Sequence, residues 1–400
     1  MNSYIFFSDR KSVLFALGLF FLTMPFFVWH IPQLSYIKLL VSITVVIMAF
    51  NRQKRYTGSD KRLIMLFVLT GLYYIFLSFS HDILNLNGII TSLIIVLFYC
   101  VAFIKDRFLR DVFVRFTNLY AVFIGLSLLC WFLAIAGLLP SMGTIEHYNP
   151  MVHRTYITYP FVIIEYFSDE GIRFSGLYDE PGSVGTLSAL LLCNQGFNMK
   201  DWKTYILLLS GIFSMSFFFY ALIPTYWILY LISKKKSKGI VPVLLLTVVF
   251  VLFYSKTQNS EFMSERMWSR FEWDASEGKF LGDNRITEEG DIYFAKIRGT
   301  REYFFGVDDV TGYWKAAEGS SSYKNVIAMY GLVFFVFYVM FFILLAKKYC
   351  IQTSSFILFF IVFFLNMYQR SSVYSMSFIF LYVYLARRDS IKHLEIKDIQ

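Results

Sequence analysis

Charge is scarce in this 400-residue chain: Asp, Glu, Lys and Arg together make up 16% of it, against 57% hydrophobic residues. That balance excludes a soluble globular enzyme and a secreted domain. Because the apolar residues recur along most of the length, it also excludes a single-pass receptor. Cysteine is nearly absent. Cys100, Cys130, Cys193 and Cys350 sit in or at the ends of apolar runs, which implies neither a disulfide framework nor a cysteine metal site. Histidine is equally sparse: His147 and His153 are too far apart for an i,i+4 pair, and His30, His81 and His393 are scattered, so no metal is expected. A glycine-rich phosphate loop, a dinucleotide fingerprint and a nucleophile elbow are missing, as is the internal repeat that marks many secondary transporters.

What is abundant is aromatic and aliphatic. Phe 46, Tyr 28 and Trp 7 make up a fifth of the chain, and the net charge of +9 falls in the connections between apolar runs. A basic excess placed there speaks to lipid headgroups and not to nucleic acid.

A membrane span needs roughly 20 mainly apolar residues, since a helix rises about 1.5 Å per residue through about 30 Å of hydrocarbon. Runs that qualify are Ser12 to Trp29, Leu34 to Phe50, Leu63 to Phe79, Leu86 to Ile104, Val112 to Leu139, Pro181 to Phe197, Gly239 to Tyr254, Asn325 to Ala346, Ile351 to Met367 and Ser372 to Ala386. The uncharged stretch Thr204 to Ser233, with Ser214, Ser216 and Pro224 inside it, is too long for one span and reads as two short helices in a hairpin. The expected fold is therefore an all-α polytopic membrane protein of about twelve transmembrane helices.

An even count returns both termini to one side. The segments 1–11, 51–62, 105–111, 199–203, 234–238, 347–350 and 387–400 then hold 22 basic against 8 acidic residues, while the other side holds 13 basic and 20 acidic. The basic side is expected to be cytoplasmic. Lys38 and Arg115 lie within reach of span ends, where long side chains snorkel. Arg10 and Lys11 precede the first apolar run as in a signal peptide, but no small-residue cleavage site follows, so that run reads as a retained span. The resulting organisation is 1–139 for helices one to five, 140–180 for a first external loop and 181–255 for helices six to nine with their hairpin. It continues with 256–323 as a large external loop domain, 324–386 for helices ten to twelve and 387–400 as a cytoplasmic tail.

The chemistry concentrates in the two external loops. The first ends in Arg173-Phe-Ser-Gly-Leu-Tyr-Asp-Glu180-Pro181-Gly, placing an arginine seven residues ahead of a carboxylate where Pro181 opens the next helix. Two readings stand: a cation and a base at a membrane mouth, or a salt bridge that ties down a loop. The second loop is about a third charged and reads as a folded extramembrane domain. It contains Arg266 and Arg270, then a turn at Gly282-Asp-Asn-Arg285, then a helix expected from about Thr287 to Tyr303. Arg285 would stand at that helix's N-terminus, suited either to clamping a phosphate or to pairing locally with Glu288 or Glu289. Tyr313, Trp314, Glu318 and Tyr323 follow. The aromatic rings suit sugar faces, and equally an interfacial belt.

From Arg173 to Gly331 this pattern resembles the Wzy-type O-antigen and capsular polysaccharide polymerases, whose superfamily includes the O-antigen ligases. The residues carrying the resemblance are Arg-x-x-Gly ahead of Glu180-Pro181, the hairpin Phe213-Ser-Met-Ser216, the large loop with Arg285, Phe-Gly306, Ser-Ser-Tyr323 and Tyr330-Gly331. The resemblance implies a glycosyltransferase of the bacterial inner membrane with its active site facing the periplasm. It would move a growing glycan from undecaprenyl diphosphate onto a new lipid-linked repeat unit, with inversion and with no cofactor or metal. Membrane lipid, a chain-length regulator and a flippase are the implied partners. A departing diphosphate needs charge stabilisation, the task of Arg173 and Arg285. The attacking hydroxyl needs a base, with Glu180 the first candidate, Glu318 the second and Tyr323 an orienting group. Arg266, Arg270, Tyr313, Trp314 and Tyr323 are the substrate-binding candidates, and whether Arg154 or Arg370 joins the site stays open. Ligases of the superfamily carry a histidine late in the large loop, which this chain lacks, favouring a polymerase. A ligase acting on lipid A-core and a flippase binding diphosphate without chemistry are the alternatives. Charge held in loops and not inside the spans favours an enzyme over the flippase.

Overall fold

The computed structural model describes residues 10–31, 33–54, 58–80, 86–149, 152–165, 173–233, 255, 272–275, 279–280, 287–309, 312–313, 315, 317, 322–370 and 375–399. The chain is mostly helical. The apolar runs become α1 (Arg10–Phe21), a single turn α2 (Phe26–Trp29), α3 (Gln33–Phe50), α4 (Lys61–Ser80), α5 (Leu86–Leu97) and α6 (Asp106–Ile135). The first run is broken where Met24 takes a φ of 61° ahead of Pro25, so it is two helices and not one. After α5 the chain tightens into a 3-10 stretch, Phe98–Phe103, whose side chains are all buried.

Between α6 and the next helix the expected loop is in fact a β-sheet, which corrects the all-α reading. β1 (Gly143–Asn149), β2 (Val152–Tyr159) and β3 (Val162–Glu165) pair antiparallel in that order. The β-branched and aromatic residues from Tyr156 to Ile164 favour a pleated, half-buried surface. Tyr156, Val162 and Ile163 are buried, and since Val162 and Ile163 are neighbours in β3 both faces of the sheet are covered there. The sheet in turn fixes the chain that follows: Ile163 donates its N–H to Gly176 O at 3.1 Å, and Ser175 Oγ donates to Ile163 O at 2.8 Å.

α7 (Pro181–Gln195) starts on a proline and stops at Gly196, whose φ of 66° lets its N–H return to the Leu192 and Cys193 carbonyls. α8 (Trp202–Phe213) is capped by Asp201, and α9 (Phe217–Ser233) follows after a three-residue turn. These two helices occupy the stretch read as a hairpin. The expected span Gly239 to Tyr254 lies outside the described residues. A two-stranded ribbon, β4 (Trp273–Asp274) with β5 (Lys279–Phe280), precedes α10 (Glu288–Ile297) and α11 (Arg301–Phe305). Thr287 caps α10 through Gly290 N at 3.2 Å, and the chain breaks at Gly299 (φ 81°), short of the single helix expected to Tyr303. α12 (Tyr323–Tyr349), α13 (Thr353–Gln369) and α14 (Met376–Ile399) complete the fold.

Among the described residues, α6 and α12 are long and apolar enough to cross a membrane, and shorter apolar helices surround them. Large apolar side chains stand exposed on outer faces, including Leu40 on α3, Leu72 on α4 and Leu129 on α6. Such a surface fits lipid better than water. Inside, one core runs through the bundle, with Phe113 stacked on Tyr384 and Tyr99 on Phe341.

Charged side chains gather at the two ends. At one end buried Arg387 donates to Asp106 and to the Ala102 and Ile104 carbonyls, and Asp60 pairs with Lys348. Arg388 Nη1 reaches Cys193 O at 2.8 Å at the close of α7. The opposite end carries Glu180 and Arg173. Lys54, Lys348 and Arg387 thus meet Asp60 and Asp106 at the first end.

Candidate active site

The site is assembled from three stretches far apart in sequence: the run from Arg173 into α7, the turn between α8 and α9, and the residue that ends α13. Arg173 donates from Nε to Ser214 O (3.3 Å) and from Nη2 to Met215 O (3.4 Å), while Phe174 N–H bonds Phe213 O at 2.9 Å. The cation therefore seats on the turn. Met215 holds a φ of 48° there, a left-handed conformation uncommon for a side chain of its size.

The turn also packs against α7. A Cβ on Gly185 would lie 2.8 Å from both Ser214 Oγ and Ser216 Oγ, so only glycine allows this approach. Ser216 Oγ is buried and, among the described residues, has no hydrogen-bond partner.

Glu180 is the N-cap of α7, with extended backbone, and Ser183 donates its N–H to Glu180 O at 3.1 Å and its Oγ to Glu180 Oε1 at 3.4 Å. Glu180 forms an ion pair with Arg370, whose Nη1 donates to Oε1. Arg370 Nε donates to Thr186 Oγ1 at 3.3 Å, one turn inside α7, and Thr186 in turn donates to Gly182 O at 2.8 Å. Burial is uneven: the Arg370 side chain is 5% exposed and that of Glu180 is 34%. The carboxylate is the more exposed partner, and the guanidinium is buried behind it. Arg370 Nη2 packs directly over Gly182, where any Cβ would collide with it, and has no hydrogen-bond partner among the described residues. A buried donor left unmet costs roughly 1–3 kcal/mol, more when charged.

This end of the bundle is further braced. Tyr156 donates its hydroxyl to Asp179 O at 2.6 Å, Phe26 N–H bonds Leu177 O at 2.6 Å, and Tyr178 shares a hydrogen bond with Thr23 at 2.9 Å. Chemically, the arrangement offers a part-exposed carboxylate at a helix N-terminus, with the Arg370 guanidinium paired to it and Arg173 seated on the α8–α9 turn. The first can accept a proton from a hydroxyl. The cations and the helix dipole favour an anionic group beside it.

The other sequence candidates divide. Arg266, Arg270, Arg285, Trp314 and Glu318 lie outside the described residues. Tyr313 does not offer a ring to a ligand. It is 1% exposed, donates its hydroxyl to Asn325 Oδ1 at 2.9 Å and packs edge-on against Tyr293 within a small cluster that includes Ile297, Val307 and Ala328. Burial, with Tyr293 and Asp291 adding, pushes its phenol far above the usual range, so it stays neutral. Tyr323 is half-buried at the start of α12 and stacks on Tyr368, two residues before Arg370. Among the described residues no group of three His, Cys, Asp or Glu side chains is placed to hold a metal.

Arg370 is what the sequence left open. Its signal was present: it is the single charged residue between Lys348 and Arg387, at the join of two apolar runs. Thr186 carried no such mark, and Ser216 stood out only as part of the hairpin Phe213-Ser-Met-Ser216. Compared with known proteins, the chain matches no family model, no curated protein and no solved structure.

Proposed function

We propose that the protein is a membrane glycosyltransferase that polymerises polysaccharide repeat units, drawing on undecaprenyl-diphosphate-linked oligosaccharide as both donor and acceptor. The observation that carries this reading is the Glu180 carboxylate, half-exposed at the N-terminus of α7, with Arg370 paired to it and Arg173 anchored on the neighbouring turn. Glycosyl transfer from a diphosphate requires a base for the incoming hydroxyl and positive charge for the leaving group, and this mouth has both types of side chain. Glu180 takes the proton; Arg173, joined by Arg285 from the large loop, balances the diphosphate.

In this reading about twelve spans cross the bacterial inner membrane. The end carrying Arg387 and Lys348 faces the cytoplasm with both termini, and the Glu180 end faces the periplasm under the large loop domain. The apolar outer faces accommodate the polyprenyl tail and surrounding lipid. A chain-length regulator and a flippase would act alongside it.

The test uses the purified protein in lipid vesicles with an undecaprenyl-diphosphate-linked repeat unit and no lipid A-core. A ladder of lipid-linked multimers is expected. Transfer only after lipid A-core is added would make the protein a ligase, and passage of intact substrate across the bilayer without either product would make it a transporter.

A further inference from the structure

The feature that the proposed chemistry leaves unused is Arg370. It arrives at α7 from the far end of α13, 190 residues along the chain from Glu180. It is placed by three separate contacts: Glu180 at Nη1, Thr186 at Nε, and the bare Cα of Gly182 under Nη2. Any residue larger than glycine at position 182 would push the guanidinium away. The sequence thus gives up a side chain on α7 and leaves a buried N–H without a partner among the described residues, all to bring one cation against one carboxylate. A tie that only held helices together would need neither.

We propose that Arg370 is a positioning residue. Seated on Gly182 and Thr186, it holds the Glu180 carboxylate at the mouth in the orientation from which it takes the proton of the acceptor hydroxyl. The proton moves from that hydroxyl to Glu180, the new glycosidic bond forms at the sugar carbon, and the bond to the diphosphate breaks with its electron pair leaving on the phosphate oxygen. Arg370 itself neither gains nor loses a proton. This inference rests on the polymerase reading.

The test compares Arg370→Met, Arg370→Lys, Gly182→Ala and the Arg370→Met/Gly182→Ala double variant in the vesicle assay. Carbodiimide labelling of Glu180, read by mass spectrometry, runs alongside and needs no activity. Arg370→Met and Gly182→Ala should each lower kcat by about 100-fold with KM held within about threefold. Lysine at 370 should restore part of the loss. The double variant should be no worse than either single one, because both remove the same placement. Labelling of Glu180 should rise in all but the wild type and Arg370→Lys. Near-normal kcat in Arg370→Met or Gly182→Ala overturns the proposal, and so do additive losses. Unchanged labelling in Arg370→Met overturns the placement itself, whether or not the variant turns over. If the wild-type protein makes no ladder, the polymerase reading fails and Arg370's catalytic task falls with it; a raised label in Arg370→Met would still identify that failure as one of function and not of geometry.

Discussion

Gly306 and Gly331 meet backbone to backbone. A Cβ on Gly306 would lie 2.6 Å from Met329 O, and one on Gly331 would overlap the carbonyl of Phe304. Both have left-handed φ, 90° and 84°, and Val307 N–H bonds Ala328 O at 2.8 Å beside them. The Gly331 conformation also breaks α12 internally. The two glycines are therefore the joint by which α10 and α11 dock on α12, reinforced by Lys324 with Asp291 and by the Tyr73 hydroxyl donating to Tyr330 O.

Alanine at either position should be costly for a reason separate from chemistry. Strained φ alone costs about 1–3 kcal/mol. Gly306→Ala and Gly331→Ala should each lower the melting temperature of the detergent-solubilised protein, and the double variant should fall short of the sum. Melting curves that superimpose on wild type would show that the joint yields easily.

Arg173→Ala removes the cation seated on the Ser214 and Met215 carbonyls. Chain extension should drop by at least about 100-fold while the protein remains inserted, and Arg285→Ala should do the same. Glycan ladders of normal length and yield from both variants would dismiss the role given to these arginines.

Glu180→Gln keeps the shape of the side chain and removes its capacity to take a proton. Binding of the lipid-linked donor should persist while turnover is lost, read by comparing bound donor with product over a single turnover. Full activity would transfer the role of base to Glu318 or another group.

Single cysteines placed at positions 154 and 298 should react with a membrane-impermeant thiol reagent from outside the inner membrane, and one at 235 only from inside. The opposite pattern would invert the orientation assigned to the two ends of the bundle.

How much of this was legible from the sequence follows from the range of the forces involved. Apolar runs and their breaks are local, so α3, α4 and α7 fall close to where the runs placed them, and the α8–α9 turn sits at Ser214 to Ser216 as the long uncharged stretch suggested. The sheet of β1 to β3 falls within 140–180, expected as an external loop, because strand pairing is a contact between segments that no single run displays. Local contrast marked Glu180 and Arg173. What local contrast could not supply was pairing: Glu180 meets Arg370 across 190 residues, and Arg173 meets backbone carbonyls, which any sequence possesses. Tyr313 misled for the related reason that a ring suited to a sugar is equally suited to a core.

At the opposite end, the buried pairing of Arg387 with Asp106 gives a stability test. Removing one partner of a buried pair typically costs about 3–5 kcal/mol. Asp106→Asn or Arg387→Met should each unfold at clearly lower temperature than wild type, with the double variant recovering part of the difference. Equal melting of all four proteins would mean that water already screens the pair.

That same pairing also ties together segments remote from one another in the chain. α14 follows every other described helix in the chain, yet its Arg387 and Arg388 satisfy Asp106 at the head of α6, carbonyls ahead of α6, and Cys193 O and Tyr226 on α7 and α9. Without α14, Asp106 and the Ala102 and Ile104 carbonyls lose the guanidinium they share. Helix α14 thus clamps α6, α7 and α9 at the end remote from Glu180, and a chain without Arg387 and Arg388 would lose that clamp.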